Sequence, residues 1–328
     1  MNKDKQLFGK QTMLHPFKLT PTYRDYVWGG KRLRPEADVT AEAWILYEED
    51  QVADGPYAGK TLAEVADLEG EALLGSKAVA MTGRRFPLLI KLLDCARWLS
   101  LQVHPNDEQA GQLEGPGFFG KTEAWYVVEA EEGAQLLSGF RPAVTREQIQ
   151  KAVGKKDILD IVESRKVKAG DTIFIPPGTI HALGPGLLIY EVQQSSDLTY
   201  RVYDWERPMT GRRKLHIDES IFVLDPEAGG NVIRKGPNIP NSGRIKLVSC
   251  KYFILELIAG RSGSIAIDVQ GESFSALTAL NGNIIVHAGN WSFTLRALET
   301  ILIPAICGKY WITFSGEATA LIAYAAGQ

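Results

Sequence analysis

Two histidines, a glutamate and a glutamine are spaced so that strand geometry would bring them to one metal ion. In LSLQVHPND, Leu99, Leu101 and Val103 alternate with Ser100, Gln102 and His104. Strand side chains alternate with period two, so Gln102 and His104 point the same way. GKTEAWYVV then presents Glu123 at the start of another strand, and IPPGTIHAL presents His181 just after a proline-glycine turn. Two imidazoles, a carboxylate and an amide oxygen together complete the shell of a divalent cation. Each residue alone is weak evidence, because a lone strand histidine is more often a hydrogen-bonded structural group.

Such donors need strands to hold them. FPLLIKLLD, WLSLQVHP, TEAWYVVEA, AQLLSGF, DTIFIPPG and LLIYEVQQS are short, β-branched or aromatic, and separated by Gly, Pro and Asn turns; IKLVSCKYFILELIAG, SFSALTALNGNIIVHAG, WSFTLRALETILIPA and YWITFSG continue the pattern. Many short strands at this spacing predict a mainly β fold, a sandwich or barrel. Two helices are expected. TLAEVADLEGEALLG (61–75) opens on a Thr61/Glu64 capping box, and a second segment over 145–163 opens on Thr-x-x-Gln. A faint repeat pairs AGDTIFIPPG at 169–178 with LETILIPAICG at 298–308, which predicts two related β domains. The reading is a flexible lead over 1–16, a metal-binding domain with helical insertions over 17–242, and a β domain without metal ligands over 243–328, joined by the polar stretch KGPNIPNS.

Composition narrows the function classes. The chain has 328 residues, 45% of them hydrophobic, which excludes disorder and supplies a large core. With 36 Lys+Arg against 39 Asp+Glu the net charge is −3, so no global field favours nucleic acid or an anionic membrane. No secretory h-region or uninterrupted membrane-length apolar run is present, and Cys95, Cys250 and Cys307 are far apart and odd in number. A reducing, cytoplasmic home is expected, with neither a membrane nor a nucleic-acid partner.

GDTIFIPPGTIH fits G-x5-P-x-G-x2-H throughout, with Gly170, Pro176, Gly178 and His181 in the fixed places, and resembles the second cupin motif. QVH followed by Glu123 resembles the first, with Gln102 where many cupins have His. From about residue 17 onward the chain further resembles type I mannose-6-phosphate isomerases of the short bacterial form, through YVWGGKRL, DGPYAGKTLAE, FPLLIKLLD, LSLQVHPND, GKTEAWYVV, IPPGTIHAL, QQSSDLTYRVYDW and GRRKLHID. It departs from that family after AEAW, where ILYEEDQVADG replaces a Ser-containing loop, and in a longer N-terminal stretch.

The resemblance implies cupin jelly-roll barrels with a few short helices. It also implies one zinc ion per chain on Gln102, His104, Glu123 and His181, in a monomer or homodimer. The same resemblance draws Lys91, Ser100, Lys121, Asp197 and Arg201 into the active-site wall, with Lys214 as a further candidate for the phosphate of a sugar-phosphate substrate. The implied reaction interconverts mannose 6-phosphate and fructose 6-phosphate through a cis-enediol. Arg201 would stabilise developing negative charge or hold phosphate, and either Lys121 or Asp197 would carry the proton. A simpler role for Asp197 and Arg201 is a salt bridge that pins a loop, and for Trp28, Trp44 and Trp125 it is core packing. Three rival readings remain: a cupin oxygenase, since two His and a carboxylate also suit Fe(II), a non-catalytic sugar-phosphate-binding protein, and an isomerase of a different sugar phosphate, given the altered 45–53 loop.

Overall fold

In the computed structural model, residues 14–209, 213–233 and 242–327 are described. Residues 1–13 of the expected lead and 235–241 of the expected linker lie outside them. The described residues are mainly β, arranged as three antiparallel sheets, as the cupin reading requires.

The first sheet has seven strands in the order Thr22–Arg24, Glu42–Leu46, Leu88–Cys95, Leu187–Gln194, Glu123–Ala130, Thr172–Ile175 and Asn231–Ile233. Its central strands read LLIKLLDC and LLIYEVQQ, and every residue of both is buried. Strands that are mostly apolar and buried along their whole length are covered on both faces. One face, carrying Leu93, Trp125, Ile173 and Ile189, packs on Leu99, Leu136 and Leu183. The latter group belongs to or flanks the second sheet, whose order is Tyr200–Tyr203, Leu101–Val103, His181–Leu183, Gln135–Phe140 and Val162–Lys166. The two sheets form a jelly roll with a polar cleft at one end.

The opposite face of the first sheet, carrying Leu92, Tyr126, Tyr190 and Val192, packs on the helical segment 62–82 and on Phe253, Leu255, Leu321 and Ala323. These last residues belong to the third sheet, built on the long strands Phe253–Ile267 and Tyr310–Ala325. Packing reaches back to Leu14, and Phe17 exchanges backbone hydrogen bonds of 3.0 and 2.9 Å with Leu302.

Both helical expectations need correction in their extent. The Thr61/Glu64 capping box is present, but breaks at Gly70 and Gly75 divide the segment into Leu62–Glu69, Glu71–Leu74 and Ser76–Thr82. The second helix covers only Arg146–Ala152; after Gly154 the chain passes through a 3-10 turn at Lys156–Asp160 into the strand Val162–Lys166. The apolar residues Ile158 and Val162 still reach the core, although the helix ends at Ala152. The two repeat segments form the strands Thr172–Ile175 and Thr300–Ile303, and only the first leads to a histidine. No helix among the described residues is long and apolar enough to cross a membrane.

Candidate metal centre and surrounding cleft

The four predicted donors converge from both sheets of the jelly roll. Gln102 sits directly across from His181 in the second sheet, His104 follows the same strand, and Glu123 opens a strand of the first sheet. Ligand atoms of His104, Glu123 and His181 all lie within 4.8 Å of one another, and all three residues are buried. The Gln102 amide lies 3.5 Å from His104 Nε2 and 3.3 Å from His181 Nε2. In this rotamer its Oε1 accepts from Ser100 Oγ at 3.3 Å; a half-turn of the amide aims the oxygen at the imidazoles instead.

Each ring is oriented from behind. His104 Nδ1 donates to the Leu198 carbonyl at 2.8 Å and His181 Nδ1 to the Thr179 carbonyl at 2.9 Å. That fixes the tautomer with Nε2 unprotonated and facing the centre. Gly178, at φ +82°, turns the chain ahead of His181, and its amide binds the His104 carbonyl at 2.9 Å. Burial, reinforced by the Lys121 charge, lowers His104 to about 3, and burial also lowers His181. Both rings are therefore neutral donors. Glu123 is burdened by burial, but Lys121 and the two histidines outweigh that and hold it well below the usual carboxylate range.

The test of fit for a metal lies in Glu123. Both of its oxygens are buried and receive no hydrogen bond of sound geometry, although Lys121 Nζ stands 3.1 Å from Oε1 and His104 Nε2 3.3 Å from the same atom. A buried carboxylate normally satisfies its oxygens. Two orphaned oxygens facing two imidazole lone pairs and an amide suit a divalent cation.

The cleft above the centre has a volume of about 800 Å³ and is lined by Lys91, Ser100, Gln102, Lys121, His181, Asp197 and Arg201 among others. Lys214 departs from its expected place. It is exposed and absent from the lining, and it contributes only its backbone carbonyl, which accepts from Arg201 Nη1 at 3.1 Å. Its neighbour Arg213 lines the cleft, gripped by Asp204 at 2.6 and 3.0 Å. Arg201 Nε is buried and without a hydrogen-bond partner. Among the described residues no ion pair joins Asp197 to Arg201, so the loop-pinning salt bridge is not formed. Trp28, Trp44 and Trp125 are each buried yet also line the cleft.

In the cleft wall itself lies an ion cluster that the sequence did not reveal. Lys91 Nζ is 3.4 Å from Glu191 Oε1 and 3.8 Å from Glu42 Oε2, with all three side chains at most 11% exposed. Glu191 also accepts from Trp125 Nε1 at 2.7 Å, and Glu42 from Trp44 Nε1 at 2.6 Å. Burial alone would pull Lys91 down, but Glu42, Glu191 and Glu123 hold it above its ordinary value and keep it cationic. Burial and repulsion from Glu123 raise Glu191. Cross-strand register explains the cluster: Trp44, Lys91, Glu191 and Trp125 form one row across four strands. A single acid inside the apolar run LLIYEVQQ was the available signal for Glu191.

Comparison with known proteins gives concordant matches. The family profile "Phosphomannose isomerase type I, catalytic domain" matches residues 16–133. A mannose-6-phosphate isomerase from Streptococcus mutans is 34% identical over 317 residues, covering 93% of this chain and 96% of its own. One from Bacillus subtilis is 32% identical over 310 residues, covering 90% and 95%. The crystal structure of a mannose 6-phosphate isomerase from Bacillus subtilis superposes with a TM-score of 0.83 at 30% identity, covering 94% of this chain and 99% of that one.

Proposed function

Because the chain belongs to the type I phosphomannose isomerase family, we propose that it interconverts mannose 6-phosphate and fructose 6-phosphate using one zinc ion on Gln102, His104, Glu123 and His181. The observation that carries this reading is the pair of orphaned Glu123 oxygens facing two Nε2 atoms whose rings are locked from behind. Bound there, zinc supplies a redox-inert Lewis acid that eases loss of the proton beside the sugar carbonyl.

The chain's own residues do the rest. A proton must leave C2 of the aldose and return to C1 through a cis-enediol. Lys121, beside Glu123 and 4% exposed, and Asp197, at the cleft mouth, are the two groups available to carry it. Arg201 offers a buried guanidinium edge with no partner, suited to an enediolate oxygen or a phosphate. Arg213 adds a second cation on the same side, in the role first assigned to Lys214. Lys91, held charged by its carboxylates, and Ser100 are placed to donate to sugar oxygens. Trp28, Trp44 and Trp125 add apolar surface to the otherwise polar cleft walls.

The catalytic unit on this reading is 17–242, with 243–328 a metal-free support that shares its core. Three free cysteines suit a cytoplasmic setting. The test is a coupled assay for conversion of mannose 6-phosphate before and after chelation and zinc restoration, with His104→Ala as control. Zinc-restored turnover that His104→Ala abolishes is expected. Iron-dependent oxygen uptake, or no turnover in a folded zinc-loaded sample, overturns the reading.

A further inference from the structure

Asp107 is the third residue after His104 and opens the helix Asp107–Leu113. Its Oδ1 accepts two hydrogen bonds, from the Gly120 amide at 2.9 Å and from Gln194 Nε2 at 2.9 Å. Gln194 in turn clasps Thr122 from both sides, its Oε1 accepting from the Thr122 amide at 3.0 Å and its own amide donating to the Thr122 carbonyl at 3.2 Å. The Lys121 amide donates to the Pro105 carbonyl at 2.9 Å. The short stretch that presents Lys121 and Glu123 is therefore held at each amide from 120 to 122, and two of those three tethers run through Asp107. There is no slack in this joint: a Cβ on Gly120 would stand 2.4 Å from the Asn106 carbonyl carbon and 2.5 Å from the Asp107 nitrogen.

The other carboxylate oxygen leads elsewhere. Asp107 Oδ2 accepts from the Tyr252 hydroxyl at 2.6 Å, with Lys251 Nζ at 4.0 Å. Tyr252 lies in the turn between the strands Ser242–Ser249 and Phe253–Ile267 of the third sheet, and its carbonyl is held by the Ala326 amide at 3.3 Å. Burial would raise Asp107, but the bonds from Tyr252, Gln194 and Gly120 outweigh it and keep the carboxylate ionised. A charged acceptor makes each of these bonds stronger than a neutral one.

We propose that Tyr252 is a positioning residue for the active site, a strut from the C-terminal sheet that fixes Asp107 and through it the Gly120–Glu123 segment bearing Lys121 and Glu123. The importance of Lys121 and Glu123 rests on the isomerase reading above; the strut itself does not. With its second oxygen anchored, the Asp107 carboxylate cannot rotate away from Gly120 and Gln194. Without the hydroxyl it is free to turn toward solvent, and displacement of a reacting group by an ångström costs as much as about 100-fold in rate.

The test uses the full zinc-supplemented chain and the variants Tyr252→Phe, Asp107→Ala and the double variant. Turnover is measured together with backbone hydrogen exchange at 119–123. Tyr252→Phe is expected to lower kcat about tenfold with KM within about twofold and to speed exchange of the Gly120 and Thr122 amides. Asp107→Ala, which leaves the Tyr252 ring in place, must speed the same two amides even if Tyr252→Phe fails to fold. The double variant must turn over no more slowly than Asp107→Ala, because the strut acts only through that carboxylate. Unchanged exchange in both single variants, or an equal kcat loss from Tyr252→Phe in the Asp107→Ala background, overturns the proposal. A wild-type chain with no mannose 6-phosphate turnover would sink the isomerase reading, while exchange would still decide the strut.

Discussion

The amide of Gln102 stands 3.3 Å from His181 Nε2, across the residue pair that joins the strands Leu101–Val103 and His181–Leu183. On the zinc reading proposed above, a neutral donor at this position leaves the site with a net charge of about +1. Gln102→Glu keeps an oxygen in place but cancels that charge. Metal analysis should find zinc retained, while kcat falls by about tenfold or more. Unchanged kcat in the zinc-loaded variant would mean that the charge balance of the site does not matter.

Removing the cation from the buried cluster leaves two acids without compensation. Lys91→Met should destabilise the fold by about 3–5 kcal/mol, the usual cost of breaking a buried pair, since Lys91 and Glu191 are only 6% and 5% exposed. Lys91→Met combined with Glu191→Gln should recover part of the loss. Urea unfolding of the three proteins checks the ordering, and equal midpoints for wild type and Lys91→Met would refute it.

Arg201→Lys retains the charge but loses the planar fork. The KM for the sugar phosphate should rise about tenfold, and inhibition by inorganic phosphate should weaken in parallel. A fall in kcat alone would instead assign Arg201 to the developing enediolate, without a phosphate contact.

Asp50 supplies a pH signature remote from the metal. Burial pushes its carboxyl up to about 7, only partly offset by the Thr22 hydroxyl at 2.7 Å. The folded chain holds this proton more tightly than the unfolded chain, whose Asp titrates near 3.9. Its contribution to stability is therefore complete below about pH 4 and is lost as pH rises to about 7. The slope in between reaches about 1.4 kcal/mol per pH unit at most. Melting curves across this window should show wild type losing stability relative to Asp50→Asn; a parallel response of the two would show Asp50 ionised throughout.

The convergence of Gln102, His104, Glu123 and His181 was legible because its signals are local. Gln102 and His104 share a strand face by simple alternation, and His181 is announced by the proline-glycine turn before it. The carboxylates around Lys91 were not, because they come from strands 49 residues upstream and 100 downstream in sequence. Only sheet register puts them together, and alternation within one strand carries no register. The placement of Lys214 failed for a related reason: one residue of phase in an irregular turn decides whether Lys214 or Arg213 faces the cleft. The helix expected over 145–163 runs only over Arg146–Ala152, because an apolar stripe persists through a turn and into a strand when both continue along the same core.

The core that joins the first and third sheets also sets the order in which the molecule can be completed. Leu14, Leu62, Leu92 and Val192 meet Leu321, Ala323 and Ala325 in a single cluster. A chain emerging from the ribosome can close the cluster built on Leu101, Ile158 and Val202 early, since all of its buried members precede residue 225. It cannot cover the outer face of the first sheet until residues 321–325 have been made. The nascent enzyme thus carries a finished inner pocket on an exposed apolar back, and the strand Tyr310–Ala325 is what renders it safe from its neighbours.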